Sequence, residues 1–210
     1  MSLSLIRAFI AIEVEDRSVL SRIIEVRDRI LGLGIDAKPV EDENIHLTLR
    51  FLGEIDESLI PSIEMAMARL SIYRPFRIRV SGIGVFPDIR MPRVVWVGVD
   101  EGSEILRSMR SLLDESLRGL RIHEDQHGFS PHITIARIRG RVNLDKLSRY
   151  VEENSDYVLG YSPVTRVVLK NSVLTPRGPI YSDLRRVFLG SEGEGLEGSG
   201  GGSGKDKAKR

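Results

Sequence analysis

The sequence predicts a mixed strand-and-helix (α+β) fold in which one plan is used twice. Three observations carry this. Two strings nearly repeat each other, His46-Leu47-Thr48-Leu49 and His132-Ile133-Thr134-Ile135; they lie 86 residues apart; and the segments around them recur at nearly the same offset. Side chains alternate faces along an extended strand, so His46 and Thr48 share one face while Leu47, Leu49 and Phe51 take the other. The same parity groups His132 with Thr134 and backs them with Ile133 and Ile135.

Taken in order, each half offers the same elements. Arg7-Ala-Phe-Ile-Ala-Ile12 reads as a strand, matched by Val94-Val-Trp-Val-Gly-Val99. Arg17 to Leu31 carries apolar residues at Val19, Leu20, Ile23, Ile24, Val26, Ile30 and Leu31, the spacing of an amphipathic helix, and Ser103 to Leu117 is its counterpart. After each His-x-Thr strand comes another helical stretch, Ser58 to Leu70 and then Leu144 to Asn154. Each half closes on a β-rich segment, Phe76 to Ile83 and then Thr165 to Leu174.

Of the 210 residues, 41% are hydrophobic, enough for one large domain or two closely packed lobes. The stretch from Gly190 to Arg210 is dominated by Gly, Ser, Glu and Lys and has little to bury, so the folded domain is expected over residues 1–189 and a disordered tail over 190–210. The tail holds four basic and four acidic residues, so the folded part keeps the net charge of +1. That balance excludes a broadly basic nucleic-acid wrapper; contact with phosphate must be local. With no cysteine in the chain, disulfides, thiolate catalysis and cysteine-ligated zinc are excluded. The N-terminus enters a strand without a signal-peptide pattern, and no apolar run approaches the roughly 20 residues that span a bilayer. A soluble cytoplasmic protein without membrane association is expected.

Two motifs are decoys. His123-Glu124-Asp125-Gln126-His127 fits the zinc-protease pattern H-E-x-x-H, which needs a helix running past the second histidine. Gly128 follows at once and Pro131 comes soon after, so the segment reads as a polar loop. In the tail, Gly202-Ser-Gly204-Lys205 imitates a phosphate-binding loop, but Ser199 and Asp206 stand where a glycine and a hydroxyl residue are required.

The paired strings have a chemical reading. Two imidazoles on an exposed sheet face can act on opposite sides of one reacting atom, one removing a proton and one supplying it. The threonine hydroxyls beside them can donate to phosphoryl oxygens. Arg50 shares strand parity with His46 and Thr48 and is a candidate phosphate contact. Phe9, Phe51, Trp96 and Phe129 are candidate stacking surfaces, with at most one expected to meet a base, since strand aromatics usually fill cores.

At these residues the chain resembles the RNA 2',3'-cyclic phosphodiesterases of the two-histidine phosphoesterase superfamily, also known as 2'-5' RNA ligases. The resemblance runs from about Leu5 to Leu189. It rests on Arg7-Ala-Phe-Ile-Ala-Ile12, His46-Leu-Thr-Leu-Arg-Phe-Leu-Gly53, Gly84-Val-Phe-Pro87, Pro92-Arg-Val-Val-Trp-Val-Gly98, Phe129-Ser-Pro-His-Ile-Thr-Ile-Ala-Arg137 and Asn171-Ser-Val-Leu-Thr-Pro-Arg-Gly-Pro-Ile-Tyr181. It implies a bilobal fold of two antiparallel sheets related by a pseudo-twofold axis around a central cleft, with helices on the outer faces. It implies hydrolysis of an RNA 2',3'-cyclic phosphate end, tRNA fragments among the substrates, to a 2'-phosphate by a monomer that needs no metal and no cofactor. His132 is then the base, His46 the acid, and Thr48 and Thr134 bind non-bridging oxygens. Arg137 belongs to the family motif, yet regular alternation puts it opposite His132; it reaches the site only if the strand bends. The other readings are 2'-5' ligation at the same site, non-catalytic binding of RNA ends, and hydrolysis of a small cyclic nucleotide.

Overall fold

A computed structural model describes residues 4–120, 122, 128–176 and 178–190. In chain order these form β1 (Leu5–Glu13), α1 (Arg17–Leu31), β2 (Ala37–Pro39), β3 (His46–Asp56), α2 (Ile60–Ala68), β4 (Phe76–Phe86), β5 (Val94–Val99), α3 (Ser103–Ser116), β6 (His132–Ile138), α4 (Leu144–Glu153), β7 (Val158–Val164), β8 (Arg166–Thr175) and β9 (Gly178–Phe188). The H-E-x-x-H string lies outside the described residues, as does the expected tail beyond Gly190.

Two of the helices, α1 and α4, start at a side-chain cap. Asp16 accepts from the Val19 amide at 2.9 Å to open α1, and Asn143 accepts from the Lys146 amide at 3.1 Å to open α4, each satisfying an amide that the helix itself leaves free. Val19, Ile23, Val26 and Ile30 form the buried stripe of α1, and Leu106, Met109 and Leu113 that of α3.

The strands run antiparallel in the order β7-β4-β5-β6-β3-β1-β8-β9, with β2 beside β6. The two sheets implied by the resemblance are thus two halves of one curled nine-stranded sheet, β7-β4-β5-β6 with β2 and β3-β1-β8-β9, joined at a narrow seam. The seam is the β3–β6 pairing, whose register partners are Leu47 and Ile133. These residues are 86 positions apart, so the pseudo-twofold axis passes between them.

The lobes are not the two halves of the sequence. β4, from the first half, pairs with β5 and β7; β8, from the second, crosses to β1 and β9. Helices cross too: α1 packs on β7 and β6, and α3 on β3. This exchange leaves neither sequence half with a complete core, which makes the domain one unit. Leu47, Leu49, Ile133 and Ile135 are buried. The opposite face of those strands is left to the cleft.

At the C-terminal end of the described residues the Gly190 amide donates to Ser71 O at 3.0 Å. Among the described residues no helix is long and apolar enough to cross a membrane.

Candidate active site

His46 is the first residue of β3 and His132 the first of β6. Each imidazole is held by the carbonyl two residues before it: Nδ1–H of His46 donates to Asn44 O at 2.6 Å, and Nδ1–H of His132 to Ser130 O at 2.7 Å. A carbonyl can only accept, so both rings carry their proton on Nδ1 and keep Nε2 for chemistry. The Thr48 hydroxyl donates to Nε2 of His46 at 3.0 Å. Asn44 Nδ2 also donates to Pro179 O at 3.1 Å, which ties β9 to the turn before His46.

Both histidines line one cleft of about 310 Å³, together with Thr48, Thr134, Arg137 and Lys38. Its walls beside the imidazoles are aromatic. Phe9 stacks on His46 at 4.9 Å and 28°, Tyr181 meets the same ring edge-on at 5.5 Å, and Phe86 meets His132 edge-on at 5.0 Å. Burial among these rings pushes the His46 imidazole down to about 4; the Asn44 carbonyl opposes this, while the charges of Lys170 and Arg137 add to it. His132 is lowered for the same leading reason, with the Ser130 carbonyl opposing and Arg137 adding. Both shifts favour the neutral ring.

Those shifts tie stability to pH. Unfolded histidine titrates near 6.5, so folding opposes protonation and the stabilisation is fully present only above that pH. It declines below 6.5 and, for His46, is lost by about pH 4. A urea midpoint that falls between pH 6.5 and 4.5, above the range where carboxylates contribute, is expected, and His46→Ala should flatten that limb. An unchanged limb in the variant would disprove the link.

Strand irregularities decide which further residues reach the cleft. Along β1, Ala11 pairs with Thr48 and Ile10 with Arg50, leaving Leu49 as a bulge in β3. Along β5, Trp96 pairs with Thr134 and Val95 with Ala136, leaving Ile135 as a bulge in β6. The two bulges are 86 residues apart, and each resets the alternation by one position. Arg50 is consequently not in the cleft, contrary to the parity argument. It is buried on the opposite face, where Nε lies 2.8 Å from Asp114 Oδ1 of α3. Phe51 and Arg137, placed on the far face by regular alternation, both line the cleft. Of the four aromatic candidates, Phe9 and Phe51 line it; Phe129 packs under the Arg110 guanidinium at 5.6 Å. The Trp96 ring centre stands 6.3 Å from that of His132 and 5.1 Å from that of Phe86.

The profile of LigT-like phosphoesterases matches this chain twice in succession, over residues 14–96 and 97–181. The chain belongs to the LigT-like phosphoesterase family. The repeated match is the duplication already visible around His46 and His132. The chain is 40% identical over 175 residues to the RNA 2',3'-cyclic phosphodiesterase of Aeropyrum pernix, covering 83% of this chain and 99% of that one. It is 37% identical over 181 residues to the protein of the same name from Methanothermobacter thermautotrophicus, covering 85% and 96%. The crystal structure of TT0787 from Thermus thermophilus superimposes with a TM-score of 0.72 at 30% identity, over 89% of this chain and all of that one.

Within this LigT-like site, sequence reasoning about individual residues missed Phe86, Tyr181, Asn44 and Lys38. Phe86 and Tyr181 sit inside family motifs, which was the available signal. Asn44 and Lys38 had none, since one acts through a turn and the other through a three-residue strand that pairs with Arg137.

Proposed function

We propose that the chain is a hydrolase of RNA 2',3'-cyclic phosphate ends, acting without a metal and releasing 2'-phosphates. The observation that carries this reading is the matched pair of imidazoles, each with Nδ1 committed to a carbonyl and each beside a threonine in one cleft. A 2',3'-cyclic phosphate needs a water deprotonated on one side of phosphorus and an alkoxide protonated on the other. His132 Nε2 accepts the water proton as the new P–O bond forms. His46 Nε2–H delivers a proton to the 3'-oxygen as its bond to phosphorus breaks. Thr48 and Thr134 donate to the non-bridging oxygens, and Arg137 balances charge that grows in the transition state. The phosphodiester anion itself supplies the negative charge that restores a proton to His46 despite its burial.

A reversed assignment is favoured by one observation: His46 is the ring pushed down to about 4, which suits a base. The two are separable. A cyclic substrate with sulfur at the 3' position has a leaving group that needs no acid, so it should restore turnover to the variant lacking the acid and leave the variant lacking the base inactive. Rescue of His46→Ala supports the assignment made here; rescue of His132→Ala reverses it. The reading as a whole is tested with an oligonucleotide ending in a 2',3'-cyclic phosphate, in EDTA. A 2'-phosphate product is expected, and a 3'-phosphate product or a need for added metal would overturn it.

A further inference from the structure

A second groove opens beside the cleft, at the common end of β5 and β6. Its volume is about 340 Å³, and it is lined by Arg90, Arg93 and Arg139 with Met91, Pro92, Ile138, Gly140, Val142 and Leu144. Among the described residues the groove's lining carries three arginines and no acidic side chain; the Asp36 carboxylate stands just behind it, against Gly140. In a chain of net charge +1, three arginines around one depression are a local concentration of charge that needs its own reason. Arg90 lies 3.7 Å from Asp88. Among the described residues, neither Arg93 nor Arg139 has a carboxylate within ion-pairing distance. An anion seated in the groove would be attracted by all three.

The groove is continuous with the site through the chain. Val94 lines the cleft and Arg93 the groove; Arg137 lines the cleft and Arg139 the groove. Two residues of extended chain cover about 6.6 Å, so the groove begins about one phosphodiester step from Arg137. The Ile138 amide donates to Arg93 O at 2.9 Å, and the Arg93 amide to Phe86 O at 2.7 Å. The groove wall and the Phe86 wall beside His132 are thereby one hydrogen-bonded unit. Its apolar lining is open to solvent: Met91 is 64% and Leu144 40% exposed. Cations and apolar side chains lining one groove match a nucleotide's phosphate and base, with phosphate contacts that are independent of sequence.

We propose that this groove holds the nucleotides preceding the terminal cyclic phosphate, so that the substrate is an oligonucleotide end rather than a mononucleotide. The proposal rests on the activity proposed above and specifies its substrate. Turnover of an eight-nucleotide RNA ending in a 2',3'-cyclic phosphate is to be compared with that of 2',3'-cyclic AMP, for the wild type and for Arg93→Ala/Arg139→Ala. The wild type should prefer the oligonucleotide. The double variant should lose about tenfold in kcat/KM on the oligonucleotide, alike for different sequences, and nothing on the mononucleotide. The salt slope of oligonucleotide binding should fall by about 0.7 for each phosphate that the variant no longer neutralises. Equal losses on both substrates, or no loss on either, would overturn the groove assignment.

Binding is read separately, by fluorescence anisotropy with the 2'-phosphate oligonucleotide. Salt-dependent binding that weakens in the double variant supports the groove even if no cyclic substrate is turned over, in which case the proposed activity fails alone. Binding unchanged in the double variant refutes the groove whether or not the enzyme is active.

Discussion

Alanine at either His46 or His132 is expected to lower kcat on a cyclic-phosphate oligonucleotide by about 10²- to 10⁴-fold, the range that positioned acid–base groups supply. KM should change little, because Thr48, Thr134 and Arg137 remain to hold the phosphate. The double variant should be little worse than the poorer single one, since proton removal and proton delivery serve one transition state and their losses do not add. Folding should survive in both. His132 gives up its bond to Ser130 O at 2.7 Å, and His46 its bonds to Asn44 O at 2.6 Å and to the Thr48 hydroxyl at 3.0 Å, while the apolar residues behind both strands stay in place. Steady-state and single-turnover kinetics decide the matter, with thermal melts as the control. Wild-type kcat in either variant would remove that histidine from the mechanism.

How far such a site can be read from sequence is shown by where the parity argument held and where it broke. His46 with Thr48, and His132 with Thr134, precede the bulges at Leu49 and Ile135, and their placement on one face followed from alternation alone. Every assignment after a bulge reversed: Arg50 turned inward, while Phe51 and Arg137 turned to the cleft. A bulge adds a residue without changing composition or hydrophobic pattern, and Leu49 and Ile135 look like ordinary core residues in sequence. Helix positions were legible because burial repeats along α1 and α3 at the helical period. The exchange of β4 and β8 between lobes was not. Local periodicity identifies a strand but says nothing about which neighbour it pairs with.

The bulge in β3 has a visible support, and it yields the second large effect. Arg110 of α3 donates through Nη1 to Leu49 O at 3.1 Å, the carbonyl of the bulged residue, and through Nε to Asp114 Oδ2 at 2.7 Å. The same guanidinium lies over the Phe129 ring, 5.6 Å from its centre. Phe129 stands three residues before His132, so one side chain touches the segment behind each histidine. The Arg110 side chain is only 9% exposed, while Asp114 is 41% exposed and would keep Arg50, so the loss is that of two charge-assisted hydrogen bonds, at about 1.5–3 kcal/mol each. Arg110→Ala is therefore expected to lower the melting temperature by about 10 °C, at roughly 2–4 °C per kcal/mol for a domain of this size. It should also lower kcat, by about 10- to 100-fold if Thr48 and Phe51 shift by the order of an ångström. Arg50→Met is the informative contrast. It removes the other cation on Asp114 but leaves Arg110 on Leu49 O, so it should lose stability with little change in kcat. If Arg110→Ala melted early yet kept wild-type kcat below its melting range, strand pairing alone would hold the bulge, and Arg110 would be a fold residue rather than a positioning one.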